Sequence, residues 1–152
     1  MTKNEALLDL EIDRNVLSDD DTIAIVADAI RTCLREGDKK TLRAFLDSQE
    51  PADIATILDT LEAAEALAAM RHVDLHEQAQ IFGYLDAEYQ IELSDLMGRR
   101  EFARLMGAMS HDERVDLFKH LDPVAQEAVL PGLAQAERDD LRKLASYREG
   151  TA

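Results

Sequence analysis

Ser110-His-Asp-Glu-Arg-Val-Asp-Leu-Phe-Lys-His-Leu-Asp-Pro123 carries the signals of one complete short helix. Ser110 offers a side-chain oxygen to the open backbone N–H groups of a first turn. Glu113, three residues on, is the partner of a capping box, and Asp122-Pro123 starts the next helix, because proline's fixed φ suits a first helical position. Val115, Leu117, Phe118 and Leu121 supply a core face at helical spacing. Asp112 and Asp116, four residues apart, stack on another face with Glu113 beside them.

Working outward, the same punctuation recurs. Toward the C-terminus the pattern predicts two helices, Val124 to Leu130, stopped by Pro131-Gly132, and Ala134 to Tyr147. Toward the N-terminus it predicts a helix from Arg99 to Met109 and one capped by Asp86 that runs through Ile91, Leu93 and Met97 to Gly98. Before that comes one opened by the capping-box pair Asp74 and Glu77, with Ile81, Phe82 and Leu85 on its face. An alanine-rich helix spans Glu62 to Arg71, and Pro51 begins one carrying Ile54, Ile57, Leu58 and Leu61. Asp38 caps another, with Leu42, Phe45 and Leu46. Ser18 caps a longer one, with three acids in its first turn and Gly37 as its terminator. Residues 1–17 suit a loosely attached helical extension.

No run alternates apolar and polar residues with period two, and no hairpin turn dipeptide occurs, so the expected class is all-α: about ten short helices in a compact superhelix, an α-solenoid-like array. Three segments, Asp53 to Leu61, Glu77 to Leu85 and Glu113 to Leu121, share an acid, an offset apolar pair and a closing leucine. Their spacings, 24 and 36 residues, are read as irregular, the mark of a degenerate array.

The chain has 152 residues, enough for one domain with a real core, and 17 basic against 32 acidic residues, a net charge of −15. That balance excludes nucleic-acid and anionic-membrane surfaces and favours cations or basic partners. The single Cys33, in an apolar stretch, reads as an inert buried thiol in a reducing compartment. No signal peptide opens the chain and no stretch approaches the ~20 apolar residues of a spanning helix, so a soluble chain is expected.

Enzyme chemistry finds no foothold: there is no nucleophile elbow, no glycine-rich phosphate loop and no activated cysteine. A calcium loop at Asp19 to Asp21 fails, since Ala24 and Ile30 stand where glycine and glutamate are needed. His72 and His76 have a zinc-like spacing, but Asp74 between them reads as a helix cap that puts the imidazoles on different elements. Asp112, Glu113 and Asp116 remain open to two readings. Acids in a first turn serve the helix dipole whatever their function, yet a carboxylate pair at i, i+4 is also a platform for Mg²⁺, which keeps several waters and takes one or two carboxylates directly. Such a platform is half a site, and a second surface must complete it.

From about Asp28 onward the chain resembles the cytosolic N-terminal domain of the MgtE-type magnesium transporters. The residues that carry the likeness are Leu34-Arg-Glu-Gly-Asp-Lys-Lys-Thr-Leu-Arg-Ala-Phe-Leu46, the Pro51-Ala-Asp-Ile helix, the units ending at Leu85 and Leu121, and the tail Leu144-Ala-Ser-Tyr-Arg-Glu-Gly-Thr-Ala152. The resemblance implies an all-α superhelix over residues 18–147, with residues 148–152 beginning a linker to a pair of CBS domains and a membrane channel. It implies a Mg²⁺-sensing regulatory role, in which the domain closes onto the CBS domains of the same chain when Mg²⁺ bridges acidic interfaces. The full-length protein would be a homodimer on the cytoplasmic side of a bacterial inner membrane. The family's metal-facing acids fall on Asp112 and Asp116, with Glu113 adjacent. Another family acid falls on Gln80, which shifts its load to Glu77 or Glu88. The alternative reading is a metal-independent interaction scaffold similar to the flagellar motor switch protein FliG.

Overall fold

The computed structural model describes residues 20–151, with side chains through residue 142; the expected extension at residues 1–17 lies outside the described residues. Every described element is a helix. They are α1 (Asp20–Glu36), α2 (Lys39–Ser48), α3 (Pro51–Leu58), α4 (Ala63–Met70), α5 (Leu75–Tyr84), α6 (Ala87–Leu96), α7 (Arg99–Ala108), α8 (His111–His120) and α9 (Pro123–Thr151). The expected all-α class holds among them.

The starts of α2 to α9 fall at residues 39, 51, 63, 75, 87, 99, 111 and 123, each 12 residues after the last. The spacings of 24 and 36 that looked irregular are two and three turns of this period. The reason is geometric. A helix of eight to ten residues gives two to three turns, and a tight junction reverses the chain, so one unit closes in a fixed length. Counting from each helix start, the seventh residue is buried in all eight units: Phe45, Ile57, Ala69, Ile81, Leu93, Leu105, Leu117 and Val129. The eleventh is the closing residue. Leu61, Val73, Leu85, Met109 and Leu121 are all buried, and each donates its N–H to the carbonyl three residues back, at 3.0–3.2 Å. The next residue caps the following helix. Asp38, Asp74, Asp86, Ser110 and Asp122 accept the N–H three residues on, over 2.8–3.3 Å. Of the two expected capping boxes, at Asp74/Glu77 and Ser110/Glu113, only the first-residue half is made; a return bond does form at α4, where Glu65 accepts the N–H of Glu62 at 3.2 Å.

Two glycines act differently from one another. Gly37, at φ 71°, reverses the chain after α1, and Asp38 N–H bonds Cys33 O at 2.9 Å, the glycine terminator expected there. Gly98 was expected to close α6 in the same way. It instead stands in extended backbone, φ −70° and ψ 160°, as the N-cap of α7, because the 12-residue register assigns that place to a cap.

The second correction concerns Pro131-Gly132. The expected stop does not occur, and α9 runs unbroken from Pro123 through both residues. Proline removes one donor to the carbonyl of Glu127, at a cost of about 3 kcal/mol in a helix interior. Tertiary packing offsets this cost. At Gly132 an added Cβ would lie 3.1 Å from the Cβ of Ala103, so the missing side chain lets α9 close onto α7. Glycine here serves close approach, not termination.

The helices group into two compact units, Met1–Leu96 and Met97–Ala152. In the first, α3 packs on α5, α4 on α6, and α1 on α2, α3 and α4. Tyr89 of α6 bonds the carbonyls of Leu58 and Leu61 at 2.9 and 2.8 Å, which pins α6 to the α3–α4 junction. Arg31 of α1 meets Glu65 of α4 at 3.2 Å. Cys33 is buried, and burial, with Asp38 and Glu36 adding, pushes its thiol up to about 11, as expected of an inert residue. In the second unit, α9 packs on α7 and α8.

Candidate functional site

Three successive core positions orient α8. They are the fourth, seventh and eleventh residues of its 12-residue unit, Arg114, Leu117 and Leu121. The Arg114 guanidinium is 0 % exposed, a placement that needs every donor satisfied. Nη1 donates to Met109 O at 2.9 Å and Gly107 O at 3.4 Å, closing the open carbonyls at the end of α7. Nε donates to Glu137 Oε1 at 3.2 Å, and Nη2 bonds Asp140 Oδ2. His111 Nδ1 adds a contact to Glu137 Oε2 at 2.6 Å. Thus α8 is tied to α9 by charge as well as by packing.

The consequence is a sorting of carboxylates. Glu137 and Asp140 are paired with Arg114, and Glu137 also meets His111, whereas Asp112, Glu113 and Asp116 are exposed and have no ion-pair partner among the described residues. All three stand away from the core on a helix that Arg114 holds fixed. Two lie in its first turn, where the dipole favours them. His120 Nδ1 lies 2.8 Å from the backbone carbonyl of Asp116, so that imidazole binds the helix and leaves the Asp116 side chain alone.

The core face differs from the one expected. Leu117 and Leu121 are buried, but Val115 and Phe118 are only half-buried, and Arg114 fills the third core position. A signal for Arg114 exists in the 12-residue register. The fourth residue of each unit faces inward, and its polar occupants serve the preceding helix end: Gln90 donates to Phe82 O at 2.7 Å, and Gln126 to Phe118 O at 2.9 Å.

The remaining expected residues scatter. Glu77, half-buried on α5, has its carboxyl pushed above the usual range first by burial and then by Asp47 and Asp74. Glu88 is exposed in the first turn of α6, and Gln80 is exposed on α5. His72 lies beyond α4 and His76 on α5, on different elements as the Asp74 cap implied. The buried Nδ1 of His72 has no hydrogen-bond partner among the described residues, and burial, then Arg43 and Lys39, lower its proton affinity. Among the described residues no group of three or more His, Cys, Asp or Glu converges in a way that could hold a metal ion. Carboxylates are the hard oxygen donors that Mg²⁺ takes, one or two at a time, so the α8 acids fit it as a partial donor set.

Among the described residues these features define an acidic, all-α array of capped helices that presents carboxylates on its surface. The model of the MgtE intracellular N domain matches residues 49–150, more than half of the 152-residue chain, which therefore belongs to the MgtE intracellular N-domain family. The family is a cytosolic, regulatory part of a magnesium transporter and not an enzyme. The match begins at the junction before α3, leaving α1 and α2 outside it. No curated protein matches the chain. No described helix is long and apolar enough to cross a membrane.

Proposed function

We propose that this chain senses cytosolic Mg²⁺ for a magnesium transporter, with Asp112, Glu113 and Asp116 supplying one half of an interdomain site and CBS domains of the same transporter the other. The observation that carries the proposal is the sorting on α8. Arg114 pairs with Glu137 and Asp140 of α9, with His111 against Glu137, and three exposed carboxylates on the same fixed helix have no ion-pair partner among the described residues. At low Mg²⁺ a chain of net charge −15 is repelled by a second acidic surface. Mg²⁺ shared between the two surfaces removes that repulsion and binds the closed state better than the open one, which shifts the population toward closure.

The test uses the full-length transporter. Mg²⁺ is expected to protect the junction after this domain from proteolysis, and Asp112→Ala with Asp116→Ala is expected to move the protecting concentration upward by about tenfold, the scale of a coupling free energy of about 1.4 kcal/mol. Protection that is unchanged in the double variant would remove α8 from the site. Glu77 on α5 and Glu88 on α6 then become the acids to substitute.

A further inference from the structure

In the first unit, an open groove of about 380 Å³ runs along α3 and past the end of α5. Ala52, Ala55, Thr56 and Asp59 form one side, and Tyr84 and Asp86 the other. The small side chains on α3 leave room for an incoming group to approach the helix. Thr56 turns its hydroxyl to Ala52 O at 3.1 Å and so offers little to a ligand. Tyr84 stands at the rim, 65 % exposed, and contributes nothing to the core, which α5 builds with Ala79, Ile81 and Phe82.

The charged side chains that line the groove, Asp59 and Asp86, have one sign. The C-terminal ends of α3 and α5 add the negative ends of their dipoles, while the positive end at the start of α6 is met by Asp86 as its cap. Asp59 makes no ion pair with a described residue. Asp86 uses one oxygen to cap α6, accepting from Tyr89 N–H at 2.9 Å, and its other oxygen has no hydrogen-bond partner among the described residues. Burial first, and then Asp59, Glu92, Glu65 and Asp86, push the neighbouring Tyr89 phenol up to about 12. An anion is excluded from such a place, and an apolar group would cover two carboxylates without replacing their water. What fits is a cation with a flat face. A guanidinium is planar, weakly hydrated, stacks on aromatic rings and forks to carboxylates, whereas an ammonium does only part of this.

We propose that this groove is the docking site for an arginine side chain presented by a basic partner segment, its guanidinium lying against the Tyr84 ring and donating to Asp59 and Asp86. The proposal is independent of the magnesium reading, which uses α8 in the other unit.

The test is a titration of the ¹⁵N-labelled chain with acetyl-Gly-Arg-Gly-amide, followed by amide shifts. The same peptide with lysine or citrulline, and MgCl₂ alone, are titrated in parallel. The arginine peptide is expected to shift amides between residues 52 and 59 and between 84 and 89, with about threefold higher affinity than the lysine peptide and no saturable response to citrulline. Tyr84→Ala and Asp59→Asn, both at exposed positions, should each weaken it about threefold, while Tyr84→Phe retains it. The proposal is overturned if shifts spread evenly over the acidic surface, or if the two variants bind as the parent does. Saturation of the same amides by MgCl₂ at lower concentration than by the peptide would also overturn it, since the groove would then be a divalent-cation site.

Discussion

At the residue scale, Arg114 shows how a side chain outside any ligand can decide what a surface offers. Its burial orients α8, and its pairing with Glu137 and Asp140 leaves Asp112, Glu113 and Asp116 as the acids that face outward. Removing it leaves Asp140 without an ion-pair partner among the described residues, Glu137 with His111 alone, and a cavity behind them. Arg114→Ala is therefore expected to lower unfolding free energy by about 3 kcal/mol, measured by urea denaturation, with Arg114→Lys recovering only part because one ammonium cannot fork to two carboxylates and two carbonyls. A loss under about 1 kcal/mol would mean that water replaces the guanidinium at little cost. Glu77 makes the opposite prediction. Its proton affinity is raised in the folded state, by burial first and then by Asp47 and Asp74, so the folded chain binds the proton more tightly than the unfolded one. The ionised carboxylate then opposes folding at neutral pH, and stability is regained as pH falls toward the ordinary glutamate value. Glu77→Gln should raise the melting temperature at pH 7, and the gain should vanish below about pH 4, where both states of the parent are protonated. An equal gain at both pH values would trace the effect to packing and not to charge.

At the element scale, cap chemistry made each short helix legible, and the register between helices was harder to see. Asp38, Pro51, Asp74, Asp86, Ser110 and Pro123 mark starts within a residue of those observed, because a cap is a local bond between neighbours in sequence. The 12-residue period was masked because the cap position is filled by Asp, Glu, Gly or Ser, and the fourth position by residues as unlike as Leu42, Gln90 and Arg114. The seventh position is apolar in every unit, the eighth in all but the one with Ser94 and the eleventh in all but the one with Gln49, so the period stands in the apolar pattern once the units are aligned on their caps. The candidate acids were equally visible as residues, but their freedom from partners was not, since it depends on which acids of α9 reach Arg114 and His111. The misread element, α9, failed for a related reason: a proline-glycine pair is a stop by local rules, and the close approach of Ala103 that overrides them is a tertiary fact. Two substitutions separate these forces. Pro131→Ala restores a helical donor at an exposed position and should stabilise by about 1–3 kcal/mol. Gly132→Leu should destabilise by about 1–3 kcal/mol in the same denaturation assay, because the side chain must displace α7. If Gly132→Leu were neutral, the contact with Ala103 would not be what carries the helix through Pro131.

At the scale of the whole molecule, 32 acids against 17 bases mean that self-repulsion opposes folding and that any added salt relieves it. This general screening must be separated from specific Mg²⁺ binding, and the isolated 152-residue chain provides the control. With only one half of a shared site, its affinity for Mg²⁺ is expected in the range of about 10 mM or weaker, since one or two carboxylates displace few waters. At about 5 mM Mg²⁺ mass action then adds only about 0.2 kcal/mol, close to the resolution of a thermal melt. The melting temperature of the isolated chain should rise with MgCl₂ by nearly the amount given by NaCl of equal ionic strength, and Asp112→Asn with Asp116→Asn should leave that difference unchanged. A rise of several degrees beyond the NaCl control that disappears in the double variant would show that α8 completes a site without a second surface, and the interdomain arrangement would have to be abandoned. The same control bears on mechanism. If half-sites are weak by themselves, closure draws its Mg²⁺ dependence from affinity that exists only in the closed state, and this differential is what a sensor needs to shift its population.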